Sequence, residues 1–505
     1  MDYSQFGAMV PELIVLGIFI IIFLIDTFGG EKCKKSLSPL SVVLFGLATI
    51  AIWVIPASSE MIFGGMYVNS TACNAIKSIL NVGVFIVLLQ SMKWNDSEEG
   101  YIRKGEFLSL LMVTLFGMYL MISSRHFLLF IIGLESASLP MAAMIAYNKK
   151  RHESAEAAVK YILTAVFSSG ILLMGLSFVY AFSGGSLYFA DIAASINTYI
   201  AGIELNGLMQ YNGLLVVALA FVIAGLGFKL SLVPFHLWTA DVYQGAPTAI
   251  TSYLSVVSKG AAAFAFFIIF VQCFGAAYPN SWEWMIYGLI ILTITVGNLF
   301  AMRQKNMKRF MAFSSISQAG YLMLGVMAAD TLGLASMLFY IFVYVVSNLA
   351  AFGVISSIEN QTGKLKMEDY NGLHKTNPWL AFVMTLAMFS LAGIPPFAGF
   401  FSKFLIFTSV TGTGSVALYM LVLVALINTI ISLYYYLLVV KAMWISADEP
   451  VIASYRSAMS ERAALWLCTA GIVFFGLVPY IYQYCVDSVG DANSFLAQFM
   501  RLPLN

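Results

Sequence analysis

Apolar runs of about 20 residues recur along the whole chain, and this repetition constrains the fold more than any single motif does. Fourteen such runs begin near Val10, Pro39, Ala72, Glu106, Phe127, Ala157, Gly213, Ala249, Trp284, Lys308, Leu332, Trp379, Val416 and Ala463. A run of this length crosses the hydrocarbon core of a bilayer as one α-helix. We therefore predict an all-α polytopic membrane protein with about 14 transmembrane helices.

The composition agrees with this fold class and excludes several functions. Of the 505 residues, 60% are hydrophobic and 10% are charged, whereas soluble proteins contain about 25% charged residues. The net charge of +1 gives no reason to expect a nucleic-acid partner. The five cysteines are scattered without a CxxC pair, so the sequence supports neither an iron–sulfur cluster nor a zinc site.

Basic residues are distributed unevenly between alternate connections. If the N-terminus lies outside, the inside connections hold Lys32, Lys34, Lys35, Lys93, Arg103, Lys104, Lys149, Lys150, Arg151, Arg303, Lys305, Lys308, Arg309, Lys364, Lys366, Lys375, Arg456 and Arg462. The outside segments hold only Arg125 and Arg501. This asymmetry follows the positive-inside rule, and it predicts fourteen spans with both termini outside.

Three lysines lie deep within the predicted spans: Lys229, Lys259 and Lys403. A lysine at the bilayer centre costs at least about 2.5–3.5 kcal/mol on insertion scales, so it faces the protein interior or a wet cavity. We expect these three residues to carry out proton transfer. Two other lysines, Lys77 and Lys441, lie near helix ends, where we expect their side chains to reach the interface.

Only one acidic residue lies clearly in mid-membrane, Glu135. It is about 14 Å from His126 at the outer end of its helix, at 1.5 Å per residue. A charged carboxylate at this depth needs a partner, and Lys229 is the obvious candidate. The sequence predicts a pair that switches during proton transfer, with a static structural ion pair as the alternative.

Prolines interrupt two of the spans beside these lysines. Pro234 follows Lys229 in span seven, and Pro395 and Pro396 precede Lys403 in span twelve. Proline removes a backbone donor and clashes with the preceding turn, so both helices should break. Broken helices at membrane depth line cavities or ion sites. His236, two residues beyond the first break, is a secondary polar candidate.

The positions of the two breaks predict an internal repeat. If spans four to eight and nine to thirteen form two groups, each broken helix is the fourth of its group. Because five is an odd number, the second group enters from the opposite side, as in an inverted repeat. The predicted division is a three-helix segment over 1–105, repeats over 106–273 and 274–446, and a C-terminal helix and tail over 447–505.

Three strings carry a resemblance to a known family: PFHLWTADVYQGAPT, RFMAFSSISQAGYLMLG and SLAGIPPFAGFFSKF. They resemble the antiporter-like membrane subunits of respiratory complex I, which are related to Mrp cation/proton antiporters. Within that family, three features distinguish the subunit types. These are the DVYQGAPT ending, lysine rather than glutamate at position 403, and a chain that stops soon after span fourteen.

The resemblance implies a proton-translocating subunit without a redox centre of its own. It implies that FMN and iron–sulfur clusters lie in partner subunits, and that the partners include further antiporter-like subunits in the bilayer. It also assigns Lys160, near the inner end of span six, to the same polar axis, although on position alone anchoring is equally open. Many relatives carry histidine where this chain has Gln318. Glutamine cannot titrate, so protons would pass there through water that it orients.

The sequence therefore predicts a non-redox subunit of a proton-translocating NADH:quinone oxidoreductase. The main alternative is a cation/proton antiporter subunit of the Mrp type, which would share the fold and the lysines. A third interpretation, a membrane scaffold with static ion pairs, predicts that removing the buried charges leaves turnover unchanged.

Overall fold

Helices account for almost all the regular structure in the computed structural model, which describes residues 3–97, 100–148, 151–206, 213–275, 281–445, 449–478 and 480–490. Three basic residues of the predicted charge pattern, Lys149, Lys150 and Arg501, lie outside these ranges.

The helices of the first half are α1 (Val10–Phe28), α2 (Glu31–Val54), α3 (Thr71–Asn95), α4 (Lys104–Ser123), α5 (Phe127–Ile145), α6 (His152–Phe182), α7 (Phe189–Asn206), α8 (Gly213–Leu230), α9 (Leu237–Gly245) and α10 (Thr248–Tyr253). Those that follow are α11 (Lys259–Ile268), α12 (Ser281–Ala301), α13 (Met307–Ala328), α14 (Thr331–Thr362), α15 (Leu373–Thr376), α16 (Pro378–Ala392), α17 (Ala398–Thr411), α18 (Val416–Ile445), α19 (Met459–Leu477) and α20 (Tyr480–Gly490). A π-helical segment, Leu254–Ser258, joins α10 to α11, and a second, Ile269–Cys273, follows α11. Strands β1 (Met61–Ile62) and β2 (Tyr67–Val68) form a short antiparallel hairpin.

The structure confirms the predicted number of spans. Thirteen helices in the described ranges are long and apolar enough to cross a membrane. The remaining span consists of two shorter apolar helices, α16 and α17, which meet at the predicted break. Each of the fourteen apolar runs therefore corresponds to one span. The division into two inverted repeats, with the boundaries given above, stays a prediction.

Both predicted helix breaks are present. Helix α8 ends at Leu230 and α9 begins at Leu237, so the intervening segment, which contains Pro234, is not helical. Helix α16 ends at Ala392, and Gly393 adopts a φ of 88° that L-residues rarely take. Helix α17 begins only after Pro395 and Pro396, at Ala398. The lysine precedes the break in the first case and follows it in the second.

Helix α14 lies at the centre of the bundle. Its 32 residues are buried along nearly the whole length, and it packs against α3, α10, α13, α16, α17 and α19. In contrast, α2, α6 and α18 expose many large apolar side chains, as helices at the periphery of a membrane bundle do. The helices that carry Lys259 and Lys403, α11 and α17, therefore pack against this buried helix, whereas α8, which carries Lys229, packs against α6 and α11.

Two glycines allow α4 and α5 to pack in close contact. A Cβ added at Gly117 would lie 2.7 Å from the backbone oxygen of Gly133, and a Cβ added at Gly133 would lie 2.7 Å from the backbone oxygen of Gly117. Small residues at such crossings let two membrane helices approach backbone to backbone. This contact lies half a turn from Glu135 and fixes the height of α5 in the bundle.

Candidate functional site

The first candidate group joins α5, α6 and α8. Lys229 lies in the last turn of α8, immediately before the break, and its ammonium donates a hydrogen bond to Ser138 Oγ. Ser138 Oγ in turn donates to the backbone oxygen of Leu134. Glu135, three residues before Ser138, accepts a hydrogen bond from Ser169 Oγ of α6. The carboxylate and the ammonium thus face the same serine-lined space.

The predicted direct contact between Glu135 and Lys229 is not formed in this structure. Among the described residues, no carboxylate oxygen lies within 4.0 Å of Lys229 Nζ. The ammonium is instead bound to Ser138 Oγ, and both charged side chains are half-buried. The two groups therefore form a separated pair, with the lysine bound to Ser138 and the carboxylate bound to Ser169.

Lys259 begins α11, at the point where the π-helical segment ends. It is 2% exposed, and its ammonium donates to the hydroxyl of Ser315 at 2.6 Å and to the backbone oxygen of the same residue at 3.1 Å. It also lies 5.7 Å from the ring centroid of Tyr243 on α9. A π-helical turn widens the helix locally and is frequent at functional positions. The lysine therefore points from α11 towards α13, in the interior of the bundle.

Lys403 is bound by the end of a broken helix. The last carbonyls of an α-helix have no donor within the helix. Here the break after Ala392 exposes the backbone oxygens of Leu391 and Ala392, and Lys403 Nζ donates to them at 2.9 and 3.1 Å. The ring of Tyr321 lies 5.0 Å from the same ammonium. The negative end of the α16 dipole provides the electrostatic complement that no carboxylate in the described part of the chain supplies.

Gln318 joins the region of Lys403 to a group of tyrosines. Its amide nitrogen donates to the backbone oxygen of Leu391 at 3.3 Å and to the hydroxyl of Tyr436 at 3.2 Å, and its amide oxygen accepts from the hydroxyl of Tyr340. It is 2% exposed. A cavity of about 10 Å³ lies between this glutamine and Lys403. Its size and lining fit the prediction that Gln318 orients water.

Two predicted site residues lie apart from these groups. Lys160 is 42% exposed and forms ion pairs with Glu156 at 2.7 Å and with Asp241 at 2.6 Å. The same aspartate is paired with Arg309 at 2.6 Å. His236 lies in the break between α8 and α9, half-buried, and its Nδ1 has no hydrogen-bond partner among the described atoms. Among the described residues, neither Lys160 nor His236 forms a hydrogen bond or ion pair with Lys259 or Lys403, although His236 lies within electrostatic range of Lys259.

The prediction for Lys77 was wrong. Its side chain is fully buried and forms an ion pair of 2.6 Å with Glu12 of α1, which is also fully buried. The ammonium donates further to Asn69 Oδ1, and the hydroxyl of Tyr67 donates to Glu12. Lys77 therefore pairs within the protein rather than reaching the interface. Lys441, by contrast, is exposed near the end of α18, as predicted.

The sequence analysis also did not predict a second buried ion pair. Lys308, expected among the basic loop residues, is 2% exposed and lies 3.3 Å from Glu359 of α14. Glu359 also accepts from the hydroxyl of Thr248 and lies 3.5 Å from Arg151. Glu12 and Glu359 each lie within one turn of a helix end, and a search for acidic residues at these positions would have found both.

Comparison with protein families shows a match to the family described as NADH:quinone oxidoreductase/Mrp antiporter, TM, over residues 124–432. Similar curated proteins include NADH-quinone oxidoreductase subunit N of Phocaeicola vulgatus, 49% identical over 97% of this chain and 99% of that one. The subunit of the same name from Azobacteroides pseudotrichonymphae is 48% identical over 96% of this chain and 98% of its own length.

The solved structures agree with the fold. A chain of respiratory complex I from Thermus thermophilus with bound aureothin superposes with a TM-score of 0.75 at 27% identity, covering 93% of this chain and 98% of its own. A chain of the Mrp complex from Dietzia superposes with a TM-score of 0.80 over 99% of both chains, and its 18% identity shows the fold alone. Both curated relatives, which match nearly the whole chain, are named as subunit N.

Proposed function

Since this chain belongs to the family of NADH:quinone oxidoreductase and Mrp antiporter membrane subunits, we propose that it is the proton-translocating subunit N of an NADH-quinone oxidoreductase. Proton transfer proceeds through Glu135, Lys229, Lys259 and Lys403. All four positions fall within the matched range of the family. The subunit acts as a translocase and takes no direct part in the redox chemistry.

The observation that carries this proposal is the way in which the deep lysines are held. Within the described ranges, no carboxylate oxygen lies within 4.0 Å of the ammonium of Lys259 or Lys403. Both are bound by neutral oxygens, from Ser315 in one case and from the end of α16 in the other. An amine in such surroundings exchanges a proton at a smaller free-energy cost than one fixed in an ion pair. Static scaffold lysines would be paired, as Lys77 is.

The separated pair of Glu135 and Lys229 provides the step at which an energy input can drive proton transfer. A carboxylate moving towards Lys229 favours the charged amine, and a carboxylate moving away favours its neutral form. One proton moved against 100 mV requires about 2.3 kcal/mol. A change of two in the pKa of an amine corresponds to roughly 2.7 kcal/mol. The free-energy difference between this separated arrangement and a direct Glu135–Lys229 contact is therefore of the right magnitude to move one proton.

The energy for this switch comes from partner subunits. The chain has no nucleotide motif and no clustered metal ligands in its described part. We propose that FMN and iron–sulfur clusters lie in other subunits of the complex, and that further antiporter-like subunits pack beside this one. Placement of both termini outside rests on the distribution of basic residues in the connections, and placement in the bacterial plasma membrane rests on the family resemblance.

The main alternative remains an Mrp-type cation/proton antiporter subunit, which the structural likeness to the Dietzia Mrp complex keeps open. The two functions differ in their energy source. The oxidoreductase subunit moves protons only when NADH is oxidised, whereas an antiporter exchanges cations for protons across a membrane without NADH.

The test measures proton pumping and NADH oxidation by the assembled complex in sealed vesicles. We expect Lys259→Ala and Lys403→Ala to lower the number of protons pumped per electron, while Lys441→Ala, at an exposed helix end, retains the parent ratio. Parent pumping in both buried-lysine variants would contradict the proposal. Exchange of sodium for protons in vesicles without NADH would instead identify the antiporter.

A further inference from the structure

The two central lysines are bound to different helices, and no direct contact joins them. Lys259 Nζ is held by Ser315 of α13, and Lys403 Nζ is held by the free carbonyls of α16. Proton transfer between them, which rests on the proposed function, needs intervening groups that can both accept and donate a proton. Helix α14 packs against both α13 and α16.

Tyr344 of α14 is the side chain in this gap whose hydroxyl is uncommitted. It is 4% exposed, and its hydroxyl forms no hydrogen bond with any described atom. A buried polar atom without a partner is rare and calls for an explanation, often a role in the chemistry or an unplaced water. On one side the Tyr344 hydroxyl lies near that of Ser315, the residue that binds Lys259, without forming a hydrogen bond to it.

On its other side, Tyr344 lines the cavity beside Lys403. This cavity has a volume of about 10 Å³, and the polar side chains that line it are those of Gln318, Tyr340, Tyr344, Ser347, Ser390, Ser402 and Lys403. A space of about 10–15 Å³ holds one water molecule when two to four polar groups surround it. The lining provides more than enough partners, and the Tyr344 hydroxyl has no other.

We propose that Tyr344 relays protons between Lys259 and Lys403, with one water in this cavity completing the path. The charged Lys259 gives a proton to Ser315 Oγ as the hydroxyl proton of Ser315 passes to the oxygen of Tyr344. The hydroxyl proton of Tyr344 leaves to the water, and the water passes a proton to the neutral amine of Lys403. Each hydroxyl gains one proton and loses one, so Tyr344 stays neutral throughout. Rotation of the hydroxyls restores the starting arrangement.

This role explains how the chain connects its two halves without a histidine at position 318. The carboxamide of Gln318 is fixed by Tyr340, Tyr436 and the Leu391 carbonyl. It therefore holds one wall of the cavity in place. The hydroxyl of Tyr344 is free to turn between its two neighbours, which a relay requires.

The test compares Tyr344→Phe with Tyr435→Phe in the assembled complex. Tyr435 is 1% exposed, its hydroxyl donates to Asn298 Oδ1 at 2.9 Å, and it does not line the cavity beside Lys403. Removal of the Tyr344 hydroxyl breaks no hydrogen bond and should leave the thermal stability of the complex unchanged. We expect the protons pumped per electron to fall as far in Tyr344→Phe as in Lys259→Ala. Tyr435→Phe should lower stability but pump at the parent ratio.

Two outcomes would separate this inference from the function on which it rests. If Tyr344→Phe pumps at the parent ratio while Lys259→Ala does not, the relay is wrong and the proton-translocating function stands. If Lys259→Ala and Lys403→Ala also pump normally, both are wrong. Should Tyr344→Phe fail to assemble, 3-fluorotyrosine at position 344 retains the shape and the hydroxyl but changes its acidity. An unchanged pumping rate with that residue would then overturn the relay.

Discussion

The carboxamide of Gln318 and the ammonium of Lys403 donate hydrogen bonds to the same backbone oxygen, that of Leu391, at 3.3 and 2.9 Å. This oxygen can accept both because α16 ends one residue later and leaves its carbonyls without intrahelical donors. A carbonyl oxygen has two lone pairs, so the two donors do not compete. The glutamine and the lysine are thus coupled through the broken helix rather than by direct contact.

We therefore expect Gln318→Leu to affect both stability and pumping. The substitution leaves the buried hydroxyl of Tyr340 without its acceptor, at a cost of about 1–3 kcal/mol. It also removes one of the two groups that fix the Leu391 carbonyl beside Lys403. The thermal inactivation temperature of the complex and the protons pumped per electron should both fall. The same change at Gln304, near the surface, should leave both unaltered. Parent values for both in Gln318→Leu would show that the coupling is unimportant.

The sequence predicted the parts of this site that depend on depth and on backbone chemistry. The apolar run length placed Lys229, Lys259 and Lys403 at mid-membrane, and proline identified the two helix breaks. It could not show which atoms bind each lysine. The acceptors of Lys403 are backbone carbonyls, which every residue carries, so their role depends on where α16 ends and which way it points.

The partner of Lys77 shows a second limit. Glu12 is 65 residues away, and only the packing of α1 against the rest of the bundle brings the two together. A lysine near a helix end can reach the interface at little cost, so snorkelling was the simpler expectation. The direct Glu135–Lys229 contact was likewise inferred from depth alone. Depth does not distinguish a carboxylate from a serine one turn further along α5.

The buried Glu12–Lys77 pair predicts a marked asymmetry between single and double substitutions. Removing one partner leaves a buried charge uncompensated, which typically costs about 3–5 kcal/mol. Glu12→Leu and Lys77→Met should each therefore reduce the amount of assembled complex. The combined variant removes both charges and should assemble better than either single one. Assembly is measured as the amount of intact complex in detergent extracts.

An exposed pair provides the control. Lys305 and Glu368 are 3.9 Å apart, with side chains 84% and 72% exposed, and such surface pairs contribute little to stability. Substitution of either residue should leave assembly unchanged. If the double variant of the buried pair assembles worse than both of its single variants, the charges are not compensating each other.

The separated arrangement of Glu135 and Lys229, if it is one state of a switching pair, predicts strong coupling between the two residues. If they switch together, either Glu135→Gln or Lys229→Met abolishes the switch, and the combined variant should pump little worse than the poorer single one. Residues that act independently give losses that multiply. The measurement is the initial pumping rate of all three variants at equal NADH oxidation. Multiplying losses would contradict the pair.

The hydroxyl of Ser138, which binds Lys229, can be removed by a further substitution. Ser138→Ala removes the acceptor of Lys229 while leaving both charges in place. Without this acceptor, we expect the Lys229 ammonium to move towards the Glu135 carboxylate. The direct contact should form more often, and the pumping rate should fall. A parent pumping rate in Ser138→Ala would show that the contact between Lys229 and Ser138 is not part of the pumping cycle.

The final prediction concerns Gly393, the residue that ends α16. Its φ of 88° favours glycine, and an L-residue in the left-handed region costs about 1–2 kcal/mol. A Cβ at this position would also lie 3.1 Å from Lys403 Cδ, so Gly393→Ala should displace the ammonium from the carbonyls that bind it. We expect lower stability together with fewer protons pumped per electron.

Gly414 separates the two effects. Its φ of 75° imposes a similar strain, but an added Cβ would meet no atom within 4 Å. Gly414→Ala should therefore lose a comparable amount of thermal stability and pump at the parent ratio. If Gly393→Ala also pumps at that ratio, the position of Lys403 against the end of α16 does not matter for proton transfer. If both variants pump poorly, backbone strain rather than the displaced lysine accounts for the loss. Only a loss confined to Gly393→Ala supports the view that the broken helix holds Lys403 where a proton can reach it.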